Sequence, residues 1–125
     1  MKRTIKFRAQ RLDNGKWVYG DLEHNPGNKI TRIHTYDSKG DYQGQHIVIP
    51  ESVCQFTGLL DRNGKEIYEG DILLCKGKHL YHVDWITDGF MIRGKAYGGV
   101  ASIKVFLSNQ REVTGNIYDN PELLK

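Results

Sequence analysis

Apolar and polar residues alternate from the first turns of this chain. Ile5, Phe7 and Ala9 interleave with Lys6, Arg8 and Gln10, the two-residue period of a half-buried strand. Asn14-Gly15 then gives the strongest short-range signal for a two-residue type I′ turn, because both central positions need positive φ. Such a turn pairs residues whose numbers sum to 29. Phe7 then faces Leu22, Ala9 faces Gly20 and Arg11 faces Val18. On the opposite face Lys6 meets Glu23, Arg8 meets Asp21, Gln10 meets Tyr19 and Leu12 meets Trp17. Two opposite-charge pairs and one aliphatic–aromatic pair result, each contributing roughly 0.2–1 kcal/mol. The pattern predicts an N-terminal β-hairpin.

Further strands follow the same logic. Asn25-Pro26-Gly27-Asn28 reads as a turn leading into a strand from Ile30 to Thr35. Asp37 to Gly44 is polar and glycine-containing, and reads as an exposed loop. His46 to Ile49 is a short apolar strand ended by Pro50, which cannot donate to a ladder. Later, Ile72 to Cys75 and Leu80 to Ile86 form two more strands, with Tyr81, Val83 and Trp85 as the core face of the second. Thr87-Asp88-Gly89 turns into Phe90 to Arg93, and Gly94 to Gly99 forms a loop without phosphate-cradle spacing. Val100 to Leu107 fits either a strand or a short helix. Arg111 to Tyr118 reads as the closing strand. Asn120-Pro121 then starts a terminal helical turn that brings Leu123 and Leu124 onto the core.

The longest distinctive stretch is Gln55 to Ile72, QFTGLLDRNGKEIYEGDI. A two-residue hairpin at Asn63-Gly64 would set Arg62 against Lys65 and Asp61 against Glu66, both unfavourable like-charge pairs. A wider loop is therefore expected, with Asp61 or Asn63 bonding the turn backbone. Gly70 is expected to supply a bulge or a positive φ before the strand at Ile72. Asp71 should accept hydrogen bonds from loop amides.

This stretch, together with Ile5-Lys6-Phe7-Arg8-Ala9 and Gly115 to Leu124, resembles the YopX-like family of small bacteriophage and prophage proteins. The three segments span almost the whole chain, while residues 24–50 and 93–110 match no recognised pattern. The resemblance implies an all-β fold with an SH3-like barrel and a phage origin. It brings no catalytic residues.

Composition narrows the picture further. A chain of 125 residues with fourteen glycines, three prolines and seven tyrosines suits one turn-rich β domain. Residues 1–50 form its N-terminal hairpin and strand lobe, and residues 51–125 its barrel-forming part. About eight short strands are expected, with the hairpin packed against the barrel. No apolar run is long enough to cross a bilayer and the N-terminus lacks a signal-peptide core, which points to the host cytoplasm. Cys54 and Cys75 then read as reduced, buried small residues.

Charge is uneven. Residues 1–50 hold nine Lys/Arg against five Asp/Glu, and residues 51–125 hold nine against ten. Lys6, Arg8, Arg11, Lys16, Trp17 and Tyr19 are the candidate binding residues: cations beside aromatic rings suit single-stranded nucleic acid, whose phosphates seek cations and whose bases stack. Asp21 and Glu23 oppose that reading by neutralising the patch, and the structural reading of the hairpin leads.

No metal or cofactor is expected. Asp61, Glu66, Glu69 and Asp71 match no EF-hand spacing, and Cys75, His79 and His82 lack a fourth ligand at finger-like spacing. Neither cysteine sits in a Cys–His signature. The sequence points to a non-enzymatic interaction module that engages a host or phage protein, with nucleic-acid binding as the alternative and homo-oligomerisation left open.

Overall fold

The computed structural model describes residues 4–86, 89–94, 99–106 and 108–124. It is all-β, with antiparallel pairing throughout the described sheets. The chain divides into two compact units, Met1–Phe56 and Thr57–Lys125. The division falls within a strand, a few residues after the lobe boundary expected at position 50.

In the first unit, β1 (Phe7–Gln10), β2 (Trp17–Asn25), β3 (Ile30–Tyr36) and β4 (Tyr42–Ile47) follow one another as a meander. The start of β5 (Cys54–Leu60) pairs with the other side of β1, Cys54 opposite Arg8 and Gln55 opposite Phe7. The N-terminal hairpin is present, but in a different register. Arg8 pairs with Tyr19 and Gln10 with Trp17, so paired numbers sum to 27. A four-residue loop, Leu12 to Gly15, replaces the two-residue turn. The Arg11 amide donates to the Lys16 carbonyl at 2.8 Å, and only Gly15 takes a positive φ, +73°. A loop with one left-handed residue satisfies Asn14-Gly15 as well as a type I′ turn would. Leu12 is consequently 63% exposed and does not face Trp17. The Lys6–Glu23 and Arg8–Asp21 pairs are absent, because the two-residue shift of register sets Arg8 opposite Tyr19.

β2 serves two partners in succession, Trp17 to Gly20 pairing with β1 and Asp21 to Asn25 with β3. The residues after β4 return to the end of β1 through an Arg11–Val48 bridge. Ala9, Ile33 and Val48 form the buried centre, with Phe7, Val18 and Val53 packed against it. β4 starts at Tyr42, within the stretch expected to be loop. That loop is short because the Asp37 carboxylate ties it down, accepting from the amides of Lys39 and Asp41, both at 2.9 Å.

In the second unit, β6 (Glu66–Tyr68) lies beside the remainder of β5. A five-stranded sheet follows, in the order β10-β9-β8-β7-β11, built from β7 (Asp71–Cys75), β8 (His79–Ile86), β9 (Gly89–Gly94), β10 (Gly99–Ser102) and β11 (Arg111–Asn116). β10 and β11 are its two edges and do not pair with each other, so the sheet is open rather than closed as a barrel. Ile67, Leu73, Cys75, Tyr81, Val83, Ile92, Ile103 and Phe106 make its core. Trp85 departs from the expected core face. It is 51% exposed and stacks edge-on against Phe90 at 4.8 Å, because it sits at the far end of β8 beyond the packed layer.

Residues 87, 88 and 95–98, in the expected turn and loop, lie outside the described residues. Gly99–Ser102 resolves the ambiguous segment as strand, followed by a 3-10 turn at Ile103–Val105. The terminal turn is a 3-10 turn at Pro121–Leu124, and Leu123 remains 37% exposed rather than seated in the core. Asn120 faces back to β11, where its side-chain oxygen accepts from the Asn116 amide.

Candidate interaction face

The exposed face of the first unit's sheet is built by alternation. Cross-strand partners share a face, so Arg8 and Tyr19, Gln10 and Trp17, Asp21 and His34, and Glu23 and Arg32 all point outward, opposite buried Ala9, Thr31 and Ile33. Tyr36 continues the row on β3. At its end the ladder shifts, pairing Thr35 with Gly44 but Tyr36 with Tyr42. This β-bulge re-aims one side chain, as bulges do. Simple alternation would place Gln43 opposite Tyr36; the extra residue puts Tyr42 there. The two rings meet edge-on at 5.5 Å.

Polar contacts fix the arrangement. His34 Nε2 lies 2.6 Å from Glu23 Oε1, and His34 Nδ1 lies 3.0 Å from the Tyr42 hydroxyl. A carboxylate accepts, so Nε2 donates to Glu23, and the Tyr42 hydroxyl completes the contacts of the ring at Nδ1. Arg32 approaches the other Glu23 oxygen at 3.8 Å. Desolvation, with the Asp21 carboxylate beside it and Tyr42 nearby, raises the Tyr36 hydroxyl above its ordinary value. Tyr19, Tyr36 and Tyr42 are each close to half exposed. Their rings form a rigid, amphipathic surface that loses little entropy when covered.

The six sequence-derived binding residues are separated by this geometry. Arg8, Trp17 and Tyr19 share the face, but Arg8 is buried, its guanidinium carbon 4.7 Å from the Trp17 ring centre. Lys6 is half-buried. Arg11 and Lys16 flank the hairpin loop, and Arg11 forms a two-pronged contact with Asp13 in it at 2.7 and 3.0 Å. Sequence reading missed Glu23, Arg32, His34, Tyr36 and Tyr42 as a group. The alternation of Arg32, His34 and Tyr36 with Thr31, Ile33 and Thr35 carries part of that signal, but the bulge that brings in Tyr42 is invisible to it.

The central stretch has a different role. Asp61 is 4% exposed and accepts three backbone amides, Asn63 at 2.8 Å and Lys65 and Val113 both at 2.9 Å. The wider loop closes as expected, with Gly64 at φ +79° and the Asp61 amide donating to Lys65. Gly70 takes φ +86°, and Asp71 accepts from the Tyr68 amide at 2.8 Å. Glu66 accepts from the Tyr68 hydroxyl. Arg111, also buried, donates to the carbonyls of Leu60 and Phe106.

Among the described residues, no three His, Cys, Asp or Glu side chains gather as a metal site would require. Cys54 and Cys75 are buried and form no disulfide, and burial pushes the Cys75 thiol up to about 11, the inert end of thiol behaviour. Burial draws the His82 imidazole below its ordinary value, with Asp84 opposing and Arg93 adding to the effect. Among the described residues, no helix is long and apolar enough to cross a membrane.

The family model described as "YopX protein" matches residues 6–125. The chain belongs to the YopX family. No curated protein matches it. Among solved structures, the crystal structure of protein EF1440 from Enterococcus faecalis is similar at 22% identity and a TM-score of 0.65, over 99% of this chain and 100% of that one. At that identity the likeness concerns the fold alone. The residues that carry the YopX resemblance from Gln55 to Ile72 are scaffold here: Asp61, Gly64, Gly70 and Asp71 hold turns and edges. Of the tyrosine face, Arg32, His34, Tyr36 and Tyr42 lie in residues 24–50, which the resemblance left unmatched, while Tyr19 and Glu23 lie just before them.

Proposed function

We propose that this YopX-family protein is a non-enzymatic interaction module, a phage or prophage accessory protein that binds a host or phage protein in the cytoplasm. The observation that carries this reading is the exposed row of Tyr19, Tyr36 and Tyr42, held in place by His34, Glu23 and the β3–β4 bulge. Rigid tyrosines are characteristic anchors of protein interfaces. The charges of the face favour a protein over a polyanion, because Arg32 lies against Glu23, Asp21 adds a second carboxylate, and Arg8 is buried.

Nucleic acid is the second reading, supported by the same rings as stacking surfaces. Affinity capture from host lysate, with and without nuclease, separates the two. A nuclease-resistant protein partner is expected. A variant carrying Tyr19→Ser, Tyr36→Ser and Tyr42→Ser should bind it at least ~100-fold more weakly, since interface hot spots cost about 2 kcal/mol or more each. Circular dichroism should show the fold retained. Equal retention by the folded variant would overturn the face, and loss of all captured material with nuclease would favour nucleic acid.

A further inference from the structure

We propose that the outer edge of β4, with the cleft beside it, accepts an extended peptide as an added strand. The inference rests on the reading of the chain as a protein-binding module and names the chemistry of the partner.

The edge follows from the ladder. The Val48 amide donates to the Thr31 carbonyl at 3.0 Å, so Val48 and Thr31 form a hydrogen-bonded pair. Antiparallel pairs alternate between bonded and non-bonded. His46 with Ile33 and Gly44 with Thr35 are therefore bonded, while Ile47 with Arg32 and Gln45 with His34 are not. The backbone amides and carbonyls of Gln45 and Ile47 thus point away from β3. On that side the Ile47 carbonyl accepts from Leu12 at 3.0 Å, where the end of β1 closes in. From there back toward Tyr42, no described strand pairs with β4, which ends its sheet.

Three features make this edge receptive. β4 reads Tyr-Gln-Gly-Gln-His-Ile, without the lysine, arginine or proline that commonly blocks an exposed edge. In contrast, the β11 edge is covered, its Val113 amide taken by Asp61. Where β1 and β4 part, a cleft of about 380 Å³ opens between Leu12 and Asp13 on one side and Gln45 and Ile47 on the other. Leu12 and Ile47 are 63% and 45% exposed, and Arg11 and Asp13 neutralise each other at its rim. The cleft suits an uncharged apolar side chain. At the other end of the edge Asp41 is exposed, which suits a cation. The complementary partner is an extended segment with an apolar anchor and a basic residue four positions later. Backbone bonds supply its affinity and the cleft its selectivity.

The test uses the full chain, labelled with nitrogen-15, and the peptide acetyl-Thr-Leu-Thr-Val-Thr-Lys-Thr-amide. Expected are shift changes and slowed exchange at the Gln45 amide, which faces the part of the edge that the end of β1 leaves open. A peptide N-methylated on its edge-facing amides should bind at least ~10-fold more weakly, as each tenfold corresponds to about 1.4 kcal/mol. Gln45→Pro removes only an edge-facing amide, so it should abolish binding without breaking the β3–β4 ladder. Leu12→Ser should weaken binding several-fold. An unchanged Gln45 amide would overturn the proposal, as would equal binding of the N-methylated peptide. So would edge protection without peptide in a particle of twice the mass, which would assign the edge to a second copy. Failure here leaves the tyrosine-variant capture unaffected, whereas retention of a captured partner by that variant would sink the face alone.

Discussion

Gly20→Ala is expected to destabilise the first unit by on the order of 3 kcal/mol, within the range of backbone clashes and core disruption. An alanine Cβ at this position would run into the backbone carbonyl of His34, with Ile33 Cγ2 immediately behind at 3.4 Å. The obstacle is backbone rather than a flexible side chain, so β2 and β3 must separate for the methyl group to fit. The place is an unforgiving one. Gly20 ends the part of β2 that pairs with β1, and Asp21 begins the part that pairs with β3. Moving the strands apart would also pull His34 on β3 from Glu23 on β2, so partner binding should fall with stability. Thermal melts check the first effect, with a drop of roughly 10 °C or more expected for a chain of this size. Gly89→Ala meets nothing within 4 Å and should melt within a few degrees of the parent.

Asp61→Ala should cost about 3 kcal/mol, because it leaves three amides without their charged acceptor at once. The same contacts set a pH dependence. Burial pushes the Asp61 carboxyl up, but the amides of Val113, Lys65 and Asn63, aided by the Lys65 charge, outweigh it and hold the group below its ordinary value. A carboxyl whose folded pKa is depressed contributes stability that is fully present above its unfolded value. That contribution disappears as pH falls through the folded value. The parent should therefore lose stability below about pH 4, the ordinary carboxylate range. Asp61→Asn should show a flatter acid limb from a lower plateau. Urea melts between neutral and acid pH check both. A parallel acid limb in parent and variant would show that Asp61 is not the group responsible.

Local chemistry made much of the scaffold readable from sequence. The like-charge pairs around Asn63-Gly64 demanded a wider loop, and Asp61 closes that loop. Gly70 needed its positive φ, and it has one. The hairpin was legible as a hairpin because alternation survives a register shift of two residues, which keeps every side chain on its face. The register itself was not legible, since one left-handed residue at Gly15 serves a four-residue loop equally well. The open edges of the second sheet depend on whether β10 meets β11, a non-local matter that no short pattern encodes. Trp85 followed its alternation, but alternation carries no information about where the packed layer ends.

The candidate face divides along the same line. Trp17 and Tyr19 beside Arg8 could be read from one hairpin. His34, Glu23 and Tyr42 could not, because they meet only after three strands align and a bulge moves Tyr42 by one position. Burial of Arg8 beneath Trp17 likewise turns a cation that looked available for phosphate into part of the sheet's support.

The most direct test of the central claim, that the scaffold motif and the binding surface are different parts of the chain, is a nuclear magnetic resonance footprint. The nuclease-resistant captured protein would be added to the nitrogen-15-labelled chain. Amide shifts concentrated at Tyr19, His34, Tyr36 and Tyr42, with Asp61 to Asp71 undisturbed, are the result this account predicts. A footprint centred on Asp61 to Asp71, with the tyrosine face silent, would contradict it.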